Sequence, residues 1–261
     1  MKITRTIPLI SKGEFAKSKE WEAIRDEIRA AIETAEWPAE KDQSPHYDGK
    51  FTIYPESGKK SGKGNGVVPI KAKPMKTLKE KGWQLEAPWT VTSSGDSEEE
   101  KPKKKGSKPG GIDAAKTFPQ GTVAVEWETG NISSSHRALN KMTLGLIEKN
   151  FVGGVLVVPE AKLAKYLTDR IGNADELAPY VPLYEHVDTE GVLELVVIEQ
   201  DAESLKVPKI PKGKDGRAKE AALKTIEAGE KKAAKAARDE QVRVLESAEV
   251  PPNGARKKPK S

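Results

Sequence analysis

The stretch VAVEWETGN, Val123 to Asn131, begins as a β-strand and then sets Glu126 and Glu128 two residues apart. Side chains at i and i+2 of a strand share a face. Glu126 and Glu128 therefore stand with Thr122 and Ala124, while Val123, Val125 and Trp127 point the other way. A solvated outer face is the ordinary account of such alternation. A third acid supplies a different one. Asp113 opens the run Ile112 to Phe118, a second run follows from Thr122 to Thr129, and the PQG between them predicts a hairpin that can bring Asp113 beside the two glutamates. Three converging carboxylates in a basic chain repel a phosphate backbone unless cations sit between them. Oxygen ligands of this kind suit Mg²⁺, with Mn²⁺ as a substitute. Such a metal can activate water and neutralise the leaving oxygen of a phosphodiester.

The chain around these residues fits a polyanion-binding role. It has 261 residues, a formal charge of +5 and a pI of about 9.0, which favours nucleic acid as partner. Charged residues make up 33% and the mean hydropathy is −0.65, so part of the chain is not expected to pack into a core. There is no cysteine, which excludes disulfides, thiolate metal sites and a Cys nucleophile. His46, His136 and His186 are scattered, which argues against a His-built zinc site. The N-terminus lacks the long apolar run of a secretory leader, and FVGGVLVVP is too short to span a bilayer. A soluble, cytoplasmic protein with no membrane association is the expectation.

Several elements must position the acids. Phe15, Trp21, Ile24, Ile28 and Ile32 fall at helical spacing before Pro38 and predict an amphipathic helix. ESGKKSGKGNGVV does not match the spacing of a phosphate-binding GxxxxGK[ST] loop and reads as an exposed loop. A short helix with Pro74 near its start is expected to run to about Lys81. Thr90 to Gly111 is an acid run, a basic run and Gly-Pro, a flexible insertion. After the hairpin, Leu139, Met142, Leu146 and Ile147 predict a helix from Ser134 to Lys149. VGGVLVVP predicts a buried strand, EAKLAKYL, Glu160 to Leu167, a helix, and VLELVVIE another strand. Strands alternating with helices imply an α/β fold, a central mixed sheet with helices on both faces. Residues 1–213 are assigned to this domain. Residues 214–261 form an Ala-rich charged extension with a basic tail, either solvated padding or a source of non-specific affinity for DNA.

Asp followed by Glu-x-Glu on the next strand resembles the PD-(D/E)xK nuclease pattern, with Glu128 standing where most such nucleases carry Lys. That departure, together with NGVVPIK, GGIDAAK, EWETGNISSSHRALNK, LAKYLTDR, ELAPY and VPKIPKGKDG in this order, resembles the BamHI family of type II restriction endonucleases. The N-terminal helix, the insertion and the C-terminal extension lie outside these words.

The resemblance implies a restriction-endonuclease-like fold and a prokaryotic, cytoplasmic homodimer. Such a dimer cuts a palindrome in double-stranded DNA with one strand per active site, beside a cognate methyltransferase that protects the host. Carried over residue by residue, it makes Asp113 and Glu126 metal ligands and Glu128 the group that activates water or orients the base that does. WQLEAP makes Glu86 a fourth acid, across a departure at KAKPMK. Asn131, Ser133, Arg137, Asp169 and Arg170 match base-contacting positions, and Lys71 a DNA-facing one. The implied site is GGATCC, cut after the first G. Taken singly, Asn131 and Ser133 suit a helix cap, and Arg137, Asp169, Arg170 and Lys71 suit a solvated surface. A non-catalytic DNA-binding protein or a same-fold nuclease of altered specificity are the rival readings; the first leaves the three acids without a purpose.

Overall fold

The computed structural model describes residues 1–40, 44–59, 63–89 and 110–212. The expected insertion, apart from Gly110 and Gly111, and the C-terminal extension lie outside the described residues.

A six-stranded mixed sheet forms the centre, in the order β1-β7-β6-β5-β4-β3. Its strands are β1 (Lys2–Lys12), β3 (Gln84–Ala87), β4 (Ile112–Phe118), β5 (Gly121–Trp127), β6 (Gly153–Pro159) and β7 (Gly191–Glu199). β5, β6 and β7 run parallel to their neighbours in that group, while β1, β4 and β3 add antiparallel edges. A separate two-stranded ribbon pairs β2 (Thr52–Ile53) with β8 (Ala202–Glu203).

Each face of the sheet carries its own core. On one, α1 (Lys19–Glu33) packs Trp21, Ile24, Ile28 and Ile32 beside α2 (Val68–Glu80), against Val123, Val125 and Trp127. On the other, α3 (Ile132–Ile147) sets Ala138, Leu139, Met142 and Leu146 over Ala124, Leu156, Leu193 and Leu195. Alternate residues of β5 thus feed opposite layers, as the strand periodicity requires. Gly145 of α3 lets the Phe151 ring close beneath the helix: a Cβ there would lie 2.1 Å from the ring. Among the described residues no helix is long and apolar enough to cross a membrane.

Three sequence expectations change, and one strand adds to them. The N-terminal residues form edge strand β1, whose register shifts between Ile3 and Arg5 and between Pro8 and Ile10 break the alternation that would betray it. The second helix begins at Val68 with a Pro in its first turn, so Pro74 sits buried inside it rather than at its start. The helix expected from Glu160 to Leu167 is only the short α4 (Ala161–Ala164). In the loop before α2, Gly58, Gly64, Asn65 and Gly66 are buried, not exposed.

Glu194 sits in the middle of β7 and is 5% exposed, with Arg25 of α1 3.7 Å away. Burial raises its carboxyl above the usual range, against the smaller opposing pull of Arg25. A raised folded-state value means that the native protein holds the proton more tightly, so stability falls as pH rises from the unfolded value through the folded one. Glu194→Gln is expected to flatten the fall in melting temperature as pH rises above the ordinary carboxylate range. The same slope in both proteins would remove Glu194 as its source.

Candidate active site

Hairpin register brings the first two acids together. Ala114 pairs with Val125, which sets Asp113 opposite Glu126 one step nearer the sheet end. Asp113 Oδ2 accepts from the Trp127 amide at 2.8 Å, a bond that fixes its carboxylate against the end of β5. Glu128 follows one residue after the strand. Its amide still donates to Val157 O at 2.9 Å, so the β5–β6 ladder holds its backbone although its side chain has left the sheet.

Two lysines meet these acids from opposite faces. Lys71 of α2 reaches Asp113 Oδ1 at 2.6 Å. Lys141 of α3, buried, ion-pairs with Glu126 and also donates to Gly111 O at 2.7 Å. Burial is the largest influence on Glu126 and pushes its carboxyl up to about 7. Lys141 pulls down, while the charges of Asp113 and Glu128 add to the rise. Glu128 is also raised, first by burial and then by Asp113, against Lys71, Arg137 and Lys141. Asp113, Glu126, Glu128, Arg137 and Lys141 line one open cleft of about 710 Å³.

Lys141 escapes sequence reading because a lysine in RALNKMTLG looks like a solvated helix residue. The signal that marks it is its place on the same stripe as Ala138 and Gly145, both buried.

Among the described residues no three His, Cys, Asp or Glu side chains are grouped to hold a metal ion. The donors nonetheless suit a hard dication. They are carboxylate oxygens, and the buried Glu126 Oε1 already faces a cation, the Lys141 ammonium. Glu86 stands apart from this cleft. Its neighbours Leu85 and Ala87 pair with Ala114 and Ile112, so its backbone lies across from Asp113. Its φ is +48°, however, and the residue is exposed.

The candidate base-reading residues lie on two loops. Asn131 caps α3, accepting from the Ser134 amide at 3.2 Å, so the capping role is real; Ser133 and Arg137 are exposed on the first turns of the helix. Asp169 and Arg170 line a second cleft of about 590 Å³ with Lys59 and Lys165, and Arg170 takes a φ of +66°. One bond joins the loops: the Gly172 amide donates to Gly130 O at 2.9 Å. A Cβ on Gly172 would lie 2.8 Å from the Ile132 backbone, so glycine permits this approach.

The chain is similar to several known proteins. A family model described as "Restriction endonuclease BamHI" matches residues 1–217. The type II restriction enzyme OkrAI of Oceanobacter kriegii is 41% identical over 219 residues, covering 84% of this chain and 99% of that protein. The type II restriction enzyme BamHI of Bacillus amyloliquefaciens is 35% identical over 215 residues, covering 80% of this chain and 89% of its own. A solved structure of the restriction endonuclease BGLII complexed with a DNA 16-mer is similar at a TM-score of 0.49 and 11% identity, covering 77% of this chain and 79% of that one. At this coverage and identity, the chain belongs to the BamHI family of restriction endonucleases.

Proposed function

We propose that this protein hydrolyses double-stranded DNA at GGATCC, cutting after the first G to leave a 5′ GATC overhang, as a Mg²⁺-dependent homodimer. The observation that carries the reading is the register of the hairpin, which sets Asp113 against Glu126 and delivers Glu128 to the same cation-lined cleft.

Asp113 and Glu126 would hold the metal, with Glu86 as a more distant fourth acid; a bound dication would polarise the scissile phosphate and lower the pKa of an attacking water. Glu128, raised by burial and by Asp113, is suited to take the proton of that water or to orient it. Lys71 and Arg137 supply positive charge on the cleft side, where the strand to be cut would lie. Arg137 and Arg170 offer the fork that matches guanine O6 and N7, Asp169 an acceptor for cytosine N4, and Asn131 and Ser133 adaptable groups at the start of α3. Exposed Leu144 and Ile147 on α3 suit an isologous contact with a second copy.

Digestion of unmethylated phage DNA is expected to give discrete fragments whose sequenced ends carry GATC overhangs. Cleavage should vanish in EDTA and fall at least about a hundredfold in Glu128→Ala. Sequence-specific binding without cutting in any divalent metal would point instead to a regulator, and other ends would discard the base-contact assignments.

Lys141 makes a separate expectation for the metal-free protein. Lys141→Met leaves Glu126 buried without its partner and should cost about 3 kcal/mol in urea unfolding, largely recovered in Lys141→Met/Glu126→Gln. A loss under about 1 kcal/mol would show that the pair is solvated.

A further inference from the structure

The loop ahead of α2 carries a feature that the proposed chemistry does not use. Asn65 is fully buried, at 0% exposure, and all of its polar atoms are bonded. Its side-chain amide donates to Tyr54 O at 2.8 Å and to Tyr166 O at 2.9 Å, and its Oδ1 accepts from the Ile210 amide at 3.1 Å. Its backbone amide donates to Tyr166 O at 2.8 Å, and its carbonyl accepts from the Thr168 amide at 2.9 Å.

Gly58 and Gly64 press the same segment, and Gly66 presses the run around Ile210. Gly58 donates to Lys165 O and Gly66 to Ile210 O, both at 2.9 Å. A Cβ at Gly58 would lie 1.4 Å from Leu167 O, one at Gly64 2.3 Å from the same oxygen, and one at Gly66 2.0 Å from Pro211 O. Gly58, Gly64 and Asn65 therefore lie flush on residues 165–168, the run that delivers Asp169 and Arg170. Those two have exposed side chains, at 47% and 88%, and their mutual contact of 3.9 Å is too long to hold them in place. What fixes them is the backbone on either side: Thr168 on Asn65 before the pair, Gly172 on Gly130 after it. An exposed reading pair on an irregular loop discriminates only if a supporting layer holds its backbone to a fraction of an ångström.

We infer that Asn65 is a specificity-positioning residue, which sets the backbone from which Asp169 and Arg170 read the DNA. The inference rests on the proposed base-reading role of that pair. Asn65 touches no DNA in this scheme and acts through the Thr168 and Tyr166 backbone.

The test is cleavage of duplex oligonucleotides carrying GGATCC and each single-base-pair change. It compares wild type, Asp169→Ala, Arg170→Ala, Asn65→Asp and the Asn65→Asp/Arg170→Ala double variant. Asn65→Asp is nearly isosteric, keeps the acceptor for Ile210 and turns an oxygen toward the Tyr54 and Tyr166 carbonyls. It is expected to lose discrimination roughly tenfold at the base pairs where Asp169→Ala or Arg170→Ala loses it and at no others. At the base pairs that Arg170→Ala affects, the double variant should be no worse than Arg170→Ala alone. An equal fall in cleavage on every duplex, with ratios intact, would make Asn65 merely structural and overturn the inference. Unchanged discrimination in Arg170→Ala would instead overturn the base-reading assignment on which it rests. Should Asn65→Asp not fold, Asn65→Ser gives the same comparison. In the wild type the Thr168 amide should exchange with solvent as slowly as those of β6, and exchange at loop rates would overturn the anchoring.

Discussion

Like charges crowded at the end of a buried hairpin need compensation, and much of this molecule is arranged around that need. Two carboxylates about 5 Å apart repel by about 3 kcal/mol at an effective dielectric of about 20, and burial adds a desolvation cost to each. The compensation comes from both sides of the sheet. Lys71 arrives from the α2 layer and Lys141 from the α3 layer, so the ends of β4 and β5 are gripped between two helices that otherwise serve separate cores. A site built this way is inseparable from the fold, because moving either helix uncovers a charge.

That dependence also explains the division of labour along the chain. The sheet interior supplies rigidity through β-branched and leucine side chains in both layers, and the polar groups gather where the parallel strands end. Ends of strands in α/β sheets are where backbone ladders stop and side chains gain freedom to face a ligand. Glu128 illustrates this, with its amide still in the ladder and its carboxylate beyond it.

Legibility in the sequence follows from how local each determinant is. The hairpin, α1 and α3 could be read because period-two and period-3.6 patterns, a PQG turn and the Asn131 cap all lie within a few residues. β1 was hidden because its two register shifts scramble the alternation. The helix after β6 stops short because the Tyr166 carbonyl is taken by Asn65, a partner 101 residues away, which no local propensity encodes. The acids Asp113, Glu126 and Glu128 were legible as types at a spacing, but the cations that make their company tolerable were not. Lys71 reads in sequence as a DNA-facing or solvated lysine, and Lys141 as a solvated one. Asn65 passed as one more polar residue in a glycine-rich loop.

One hydrogen bond, from the Gly172 amide to the Gly130 carbonyl, has a reach beyond its size. Arg170 stands two residues before its donor and Glu128 two residues before its acceptor. The loop that carries the arginine and the loop that follows the carboxylate are thereby geared together like two teeth in mesh. Slack introduced on one shaft turns up as misalignment on the other, so the placement of the arginine and that of the carboxylate share a bearing.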